Sequence, residues 1–121
     1  LARPAPVVDV ESPEERFLAR LRETLEANLA DEDFDVRALA RAVGESRSNL
    51  YRRVDELVGE TPSQLIKSVR LERAEAMLRA GAGSIQQVAY AVGFKSVSHF
   101  SRSFREKFGV SPSRLEDRAS R

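Results

Sequence analysis

The sequence predicts an all-α protein of about seven helices, built as two helix-turn-helix subdomains joined by a long linker helix. Three observations lead there. Apolar residues recur at three- and four-residue steps along the chain, and no segment shows the sustained alternation of a strand. One pattern, a short apolar helix followed by a Gly turn and a longer hydroxyl-started helix, occurs twice. Between the copies lies a segment whose apolar residues spread widely around the helical wheel, as in a helix gripped on more than one side.

The elements follow in order. Ser12-Pro13 has the form of an N-cap with Pro at the first helical position, and Glu14 and Glu15 complement the helix dipole. Phe17, Leu21, Leu25 and Leu29, with Leu18 beside them, make one stripe of about four turns that the acidic "DEDFD" ends. Asp35 can cap a short helix that turns Val36, Leu39, Ala40 and Val43 inward before the turn at Gly44. Ser46 opens a third helix with Leu50, Val54 and Leu57 inward, closed by Gly59. Thr61-Pro62 starts the linker helix, which carries Leu65, Ile66, Val69, Leu71, Ala74, Met77 and Leu78 and ends at "GAGS". A short helix with Ile85, Val88, Ala89 and Val92 leads to Gly93, Ser96 opens a helix bearing Phe100, Phe104 and Phe108, and Ser111-Pro112 begins the last. Phe94 belongs with these Phe residues in the core. The corresponding division is 1–12 as a linker from an upstream domain, 13–60 and 81–121 as the two subdomains, and 61–80 as the linker helix.

Composition narrows the function classes. A chain of 121 residues suits one compact domain, or two very small ones sharing a rod. It starts without Met and without a charged n-region before an apolar h-region, which reads as a fragment whose N-terminal neighbour is missing. No apolar run is long enough to span a membrane, so no membrane contact and a cytoplasmic location are expected. With no Cys and one His, the chain offers no disulfide framework, no Cys-based zinc site and no multi-His metal site, and no cofactor is expected. No phosphate-cradling Gly loop or partnered acid pair points to an enzyme. The net charge of +1 conceals a division: residues 11–35 hold nine acids against three Arg, and residues 36–121 hold sixteen bases against nine acids. A basic face that meets phosphate fits this, as does an ordinary division of solvated surfaces.

The repeat sharpens the reading. At an offset of 49, "DVRALARAVG" lies over "SIQQVAYAVG", pairing Ala40 with Ala89, Val43 with Val92 and Gly44 with Gly93. After one added residue in the second turn the offset becomes 50, and Ser46, Ser48, Arg52, Glu56, Gly59, Pro62 and Leu65 match Ser96, Ser98, Arg102, Glu106, Gly109, Pro112 and Leu115. In such a unit the second helix can enter the major groove of DNA with its N-terminal half toward base edges. Ser, Asn, His and Arg suit that task because they present hydrogen-bonding groups on short or fork-shaped side chains. The linker helix, about 19 residues and so roughly 28 Å long, is of a length to hold two recognition helices about one DNA turn apart, on the order of 34 Å.

Arg52 and Arg102 hold matched places and are candidates for base or phosphate contact; the plainer alternative pairs each with the Glu at i+4, Glu56 or Glu106. In the first unit Arg47, Ser48, Asn49 and Tyr51 join the candidate set, and Ser46 is read as an N-cap. In the second unit the equivalents are Val97, suited to a thymine methyl, with Ser98, His99 and Ser101, and Lys95 in the turn can reach a phosphate. His99 is read as a packing or phosphate-contacting residue. Arg70 and Arg73 could equally pair with Glu72, Glu75 or Glu26 and are left out of the candidate site.

From about Phe17 to Leu115 the chain resembles the DNA-binding domain of AraC/XylS-type transcriptional regulators, most specifically in "IQQVAYAVGFKSVSHFSRSFREKFGVSPSRL" and in the linker's "RLERAEAML". The resemblance implies a bilobed helical domain, sequence-specific binding to double-stranded promoter DNA, and activation through contact with RNA polymerase. It also implies DNA-contacting residues at the positions of Arg52 and Arg102. The stretch from Phe17 to Ile66 is similar to a narrower group, the output domains of response regulators and hybrid two-component sensors, which implies an upstream receiver or sensor domain. The competing expectation is a protein-interaction module that keeps the fold without binding DNA, encouraged by the small net charge and the acidic first helix.

Overall fold

A computed structural model describes residues 11–119 of the chain; of the expected linker only Glu11 and Ser12 are among them. The helices are α1 (Pro13–Ala27), α2 (Val36–Val43), α3 (Arg47–Val58), α4 (Pro62–Arg79), α5 (Ile85–Ala91), α6 (Val97–Phe108) and α7 (Pro112–Ala119). No strand occurs among the described residues. The all-α, seven-helix expectation is therefore met.

Local chemistry sets the boundaries. Ser12, Asp35, Ser46, Thr61, Ser84 and Ser96 each accept a hydrogen bond from the backbone N–H three residues on, satisfying one of the free donors of a helix start. At Thr61 and Ser84 the third helical residue, Gln64 or Gln87, bonds back to the cap. Helix α1 stops earlier than its apolar stripe implies: Leu29 is buried from the turn beyond Ala27, and Phe34 joins it there.

The repeat extends to the backbone hydrogen bonds of the turns. Gly44 and Glu45 donate to the carbonyls of Arg41 and Ala40 at 3.2 and 2.9 Å, and Gly93 and Phe94 donate to those of Tyr90 and Ala89 at 3.1 and 3.0 Å. Both turns thus close with the same pair of bonds onto the last carbonyls of a helix.

Two apolar cores result. Phe17, Leu21, Leu25, Leu39, Leu50 and Val54 pack with Leu65, Ile66 and Val69 of α4. Val88, Val92, Phe94, Phe100, Phe104 and Leu115 pack with Leu71, Ala74 and Leu78 of the same helix. Phe108 is half-buried against the second core. Each fully buried large apolar side chain contributes on the order of 1.5–3 kcal/mol. Helix α4 serves both lobes, which explains the wide spread of its apolar residues. None of α1–α3 packs against any of α5–α7, so among the helices α4 alone joins the lobes.

Where the two cores meet, the structure corrects the sequence reading. Arg73 does approach Glu26, at 3.9 Å. Arg70, between Val69 and Leu71, is only 7% exposed and pairs with no glutamate. Its guanidinium donates to main-chain carbonyls: Nη1 to Leu29 and to Val92 (2.6 Å), Nη2 to Asp31 (3.0 Å) and Phe34 (3.3 Å). Val92 is the C-cap residue of α5, and Leu29 lies just past the end of α1, so the cation sits at the negative ends of two helices. Burial lowers the Arg70 pKa and the nearby Asp31 charge opposes this; an arginine keeps its charge regardless. Five donors in a rigid fork let one residue satisfy several carbonyls of a loop that no sequence periodicity places there.

Candidate nucleic-acid interface

The second helix of each unit is fixed by its inward residues. Leu50 and Val54 anchor α3, and Phe100 and Phe104 anchor α6, all fully buried. The opposite faces then point out. On α3, Arg47, Ser48, Tyr51 and Arg52 are exposed and Asn49 is half-buried; on α6, Ser98, His99 and Arg102 are exposed, with Val97 and Ser101 half-buried. Lys95 is exposed in the turn before α6. Ser46 and Ser96 are engaged as N-caps through Oγ, each at 3.1 Å.

The two faces differ in how their side chains are held. In the first unit a polar chain crosses α3. Asn49 donates through Nδ2 to Glu45 and accepts from Arg52 at 2.6 Å, and Arg52 also meets both oxygens of Glu56 at 3.2 Å. Glu45 accepts from Arg53 at 2.8 Å, and the Arg53 guanidinium lies 3.6 Å from the centre of the Phe17 ring. The Asn49 hydrogen bond, helped by Arg53, holds the Glu45 carboxyl below its ordinary pKa, while burial works against that shift. In the second unit the chain of bonds is missing, because His99 and Ser103 stand where the repeat has Asn49 and Arg53. Arg102 has no hydrogen-bond or ion-pair partner among the described residues, so the i+4 pair occurs at Arg52 and not at Arg102. The His99 ring meets the edge of Phe94 with centroids 5.4 Å apart, which is packing, one of the two roles expected of it.

Lys95 is paired with Asp33 of the α1–α2 loop at 3.0 Å, a contact between lobes that sequence reading did not anticipate. The Asp33 hydrogen bond and charge raise the Lys95 pKa. Arg20 was also missed: its Nη2 donates to the carbonyl of Val43 at 2.9 Å, as Arg70 does to the carbonyl of Val92. A signal existed, since Arg20-Leu21 and Arg70-Leu71 stand at an offset of 50, the offset of the second half of the repeat.

Five of the candidates, Arg47, Ser48 and Tyr51 from the first unit and Lys95 and His99 from the second, border two adjoining hollows. A cleft of about 440 Å³ between the lobes is lined by Lys95 and His99 from the second unit, by Ser63, Gln64 and Lys67 of α4, and by Val36 of α2. Val36 also lines the adjoining hollow formed with Arg47, Ser48 and Tyr51. Lys67, which sequence reading passed over, is exposed here without a partner among the described residues. Glu32 and Asp35 stand at the same cleft and moderate its positive charge.

Comparison with known proteins agrees with this architecture. A family model described as a helix-turn-helix domain matches residues 39–118. Histidine kinase P4 of Formosa agariphila is 35% identical over 113 residues, which are 93% of this chain and 8% of that protein. The chain thus spans a small fraction of that relative's length. Among solved structures, an AraC-type DNA-binding domain-containing regulator from Chromobacterium violaceum aligns with a TM-score of 0.80 at 30% identity, covering 92% of this chain and 98% of that one. The DNA-binding domain of the global transcriptional factor AdpA, solved in complex with a target DNA, aligns with a TM-score of 0.73 at 30% identity, covering 92% and 97%. Among the described residues no helix is long and apolar enough to cross a membrane. With the family model, the duplicated unit and the shared α4 in agreement, the chain belongs to the AraC-type helix-turn-helix family of transcriptional regulators.

Proposed function

We propose that this domain binds double-stranded promoter DNA in a sequence-specific way, with α3 and α6 in adjacent major grooves and α4 along the duplex between them. The observation that carries the proposal is the common surface: Arg47, Ser48 and Tyr51 continue through Val36 to Lys95 and His99. On this reading Arg52, Asn49 and Arg47 approach base edges or phosphates in one groove. Arg102, Ser98 and Ser101 do so in the next, where Val97 meets a thymine methyl. Lys95 and Lys67 meet phosphates of the backbone between the grooves, positioning the domain without reading sequence.

The second face is shorter in its donors than the first, with Val97 and Ser101 in place of Arg47 and Tyr51, so its readout is less strict. The AdpA complex supports binding of DNA by this fold. The likeness to a histidine kinase over nearly the whole chain supports an upstream sensory module in the full-length protein. Transcriptional activation through RNA polymerase completes the proposed role.

Titration of pooled duplex DNA by fluorescence anisotropy across a salt series tests the reading. Affinity should fall steeply as salt rises, because Lys and Arg contacts to phosphate release counterions. No binding even at low salt would return the domain to the alternative of a protein-interaction module.

A further inference from the structure

The lobes share α4, and no helix of one packs against a helix of the other. An 18-residue helix about 27 Å long can bend or twist, since its own hydrogen bonds resist small curvature only weakly. Something further must fix the angle between α3 and α6 if both are to enter successive grooves of a rigid duplex. Among the described residues two polar contacts bridge the lobes directly. One is the exposed Lys95–Asp33 pair, of the kind that contributes little to rigidity. The other is Arg70, buried, with carbonyls of the first lobe at Leu29, Asp31 and Phe34 and a carbonyl of the second at Val92.

Gly93 makes room for this joint. Its backbone lies at φ +88°, and a side chain there would overlap Arg70 Nη1 and the carbonyl oxygen of Leu29. Gly44, at the matching turn of the first unit, has open space where its side chain would be. There Arg20 caps the Val43 carbonyl and makes no bond to the other lobe. The second copy of the turn has therefore been turned from a cap within one lobe into a joint between two.

We propose that Arg70 and Gly93 form the joint that sets the relative orientation of the two recognition helices, and so the spacing of the DNA half-sites the domain accepts. Arg70 is a positioning residue here, 7% exposed and with its guanidinium taken up by main-chain carbonyls. The spacing consequence rests on the two-groove reading above; the orientation claim does not.

The test has two arms, with Arg70→Met and Arg70→Lys as variants and Arg20→Met as the control that loses a single cap bond within one lobe. In the free protein, NMR residual dipolar couplings should fit one alignment tensor for both lobes of the wild type and of Arg20→Met. Separate tensors are expected for the Arg70 variants while each lobe keeps its own fold. In the second arm, inserting one base pair between the half-sites should weaken wild-type binding by about tenfold, the scale of one mismatched base pair. That ratio should fall toward one in the Arg70 variants and stay at the wild-type value in Arg20→Met.

A single shared tensor and an unchanged spacing ratio in the Arg70 variants would overturn the proposal. Wild-type protein that does not bind DNA would remove the two-groove reading and leave the orientation claim to the first arm. If Arg70→Met does not fold, Arg70→Lys, which keeps the charge and loses the fork, decides the matter in both arms.

Discussion

The ammonium of Lys95 lies 3.0 Å from the carboxylate of Asp33, so a lysine expected to reach DNA phosphate is held by an acid of the other lobe. A phosphate must therefore compete with Asp33 for that charge. Asp33→Asn should tighten binding to duplex DNA by about two- to fivefold at low salt, the scale of one exposed charge pair. Lys95→Ala should erase that gain, and anisotropy titration of the two single variants and the double variant checks both statements.

The arginines of the two recognition helices carry the second prediction. Arg52→Ala or Arg102→Ala should each weaken binding by roughly 1–3 kcal/mol where the contact is bidentate to a base, with relaxed discrimination at one position of the site. A phosphate contact would instead weaken all sequences alike and lower the salt slope by about one. Unchanged affinity in both variants would refute the placement of α3 and α6 on DNA.

Glu45 links the first recognition helix to stability at acid pH. Its folded-state pKa lies below the ordinary value of 4.5, chiefly through the Asn49 hydrogen bond. A depressed carboxylate adds stability that is present above the unfolded pKa and is lost as pH falls through the folded one. Urea denaturation of wild type and Glu45→Gln should therefore show a difference near pH 6 that closes as pH is lowered well below 4.5. A difference independent of pH would assign the effect to packing rather than to charge.

The cores supply the fourth prediction. Phe100→Ala empties a fully buried site in the second lobe and should cost about 3–5 kcal/mol, and Leu50→Ala in the first about 2–5 kcal/mol. Chemical denaturation measures both. Values near zero would contradict the packing that orients α3 and α6.

What could be read from sequence was what repeats or is local. The caps at Ser46 and Ser96, the Phe stripe of α6 and the doubled unit all follow from spacing within a few turns of chain. Arg70 and Lys95 were not legible because most of their partners lie in a loop, residues 28–35, and Phe34 was not because it belongs to that loop, whose position no local pattern sets. A charged residue in the middle of a helix looks like surface until the carbonyls that neutralise it are placed. Gly93 shows the same limit: its need for a left-handed turn could be read, and the guanidinium packed against it could not.

The central claim, that one chain reads two adjacent grooves, is tested most directly by selecting from random duplex DNA with this domain at moderate salt and sequencing what is retained. Two short conserved blocks about one helical turn apart are the expected result. A single block, or no enrichment above background, would contradict it.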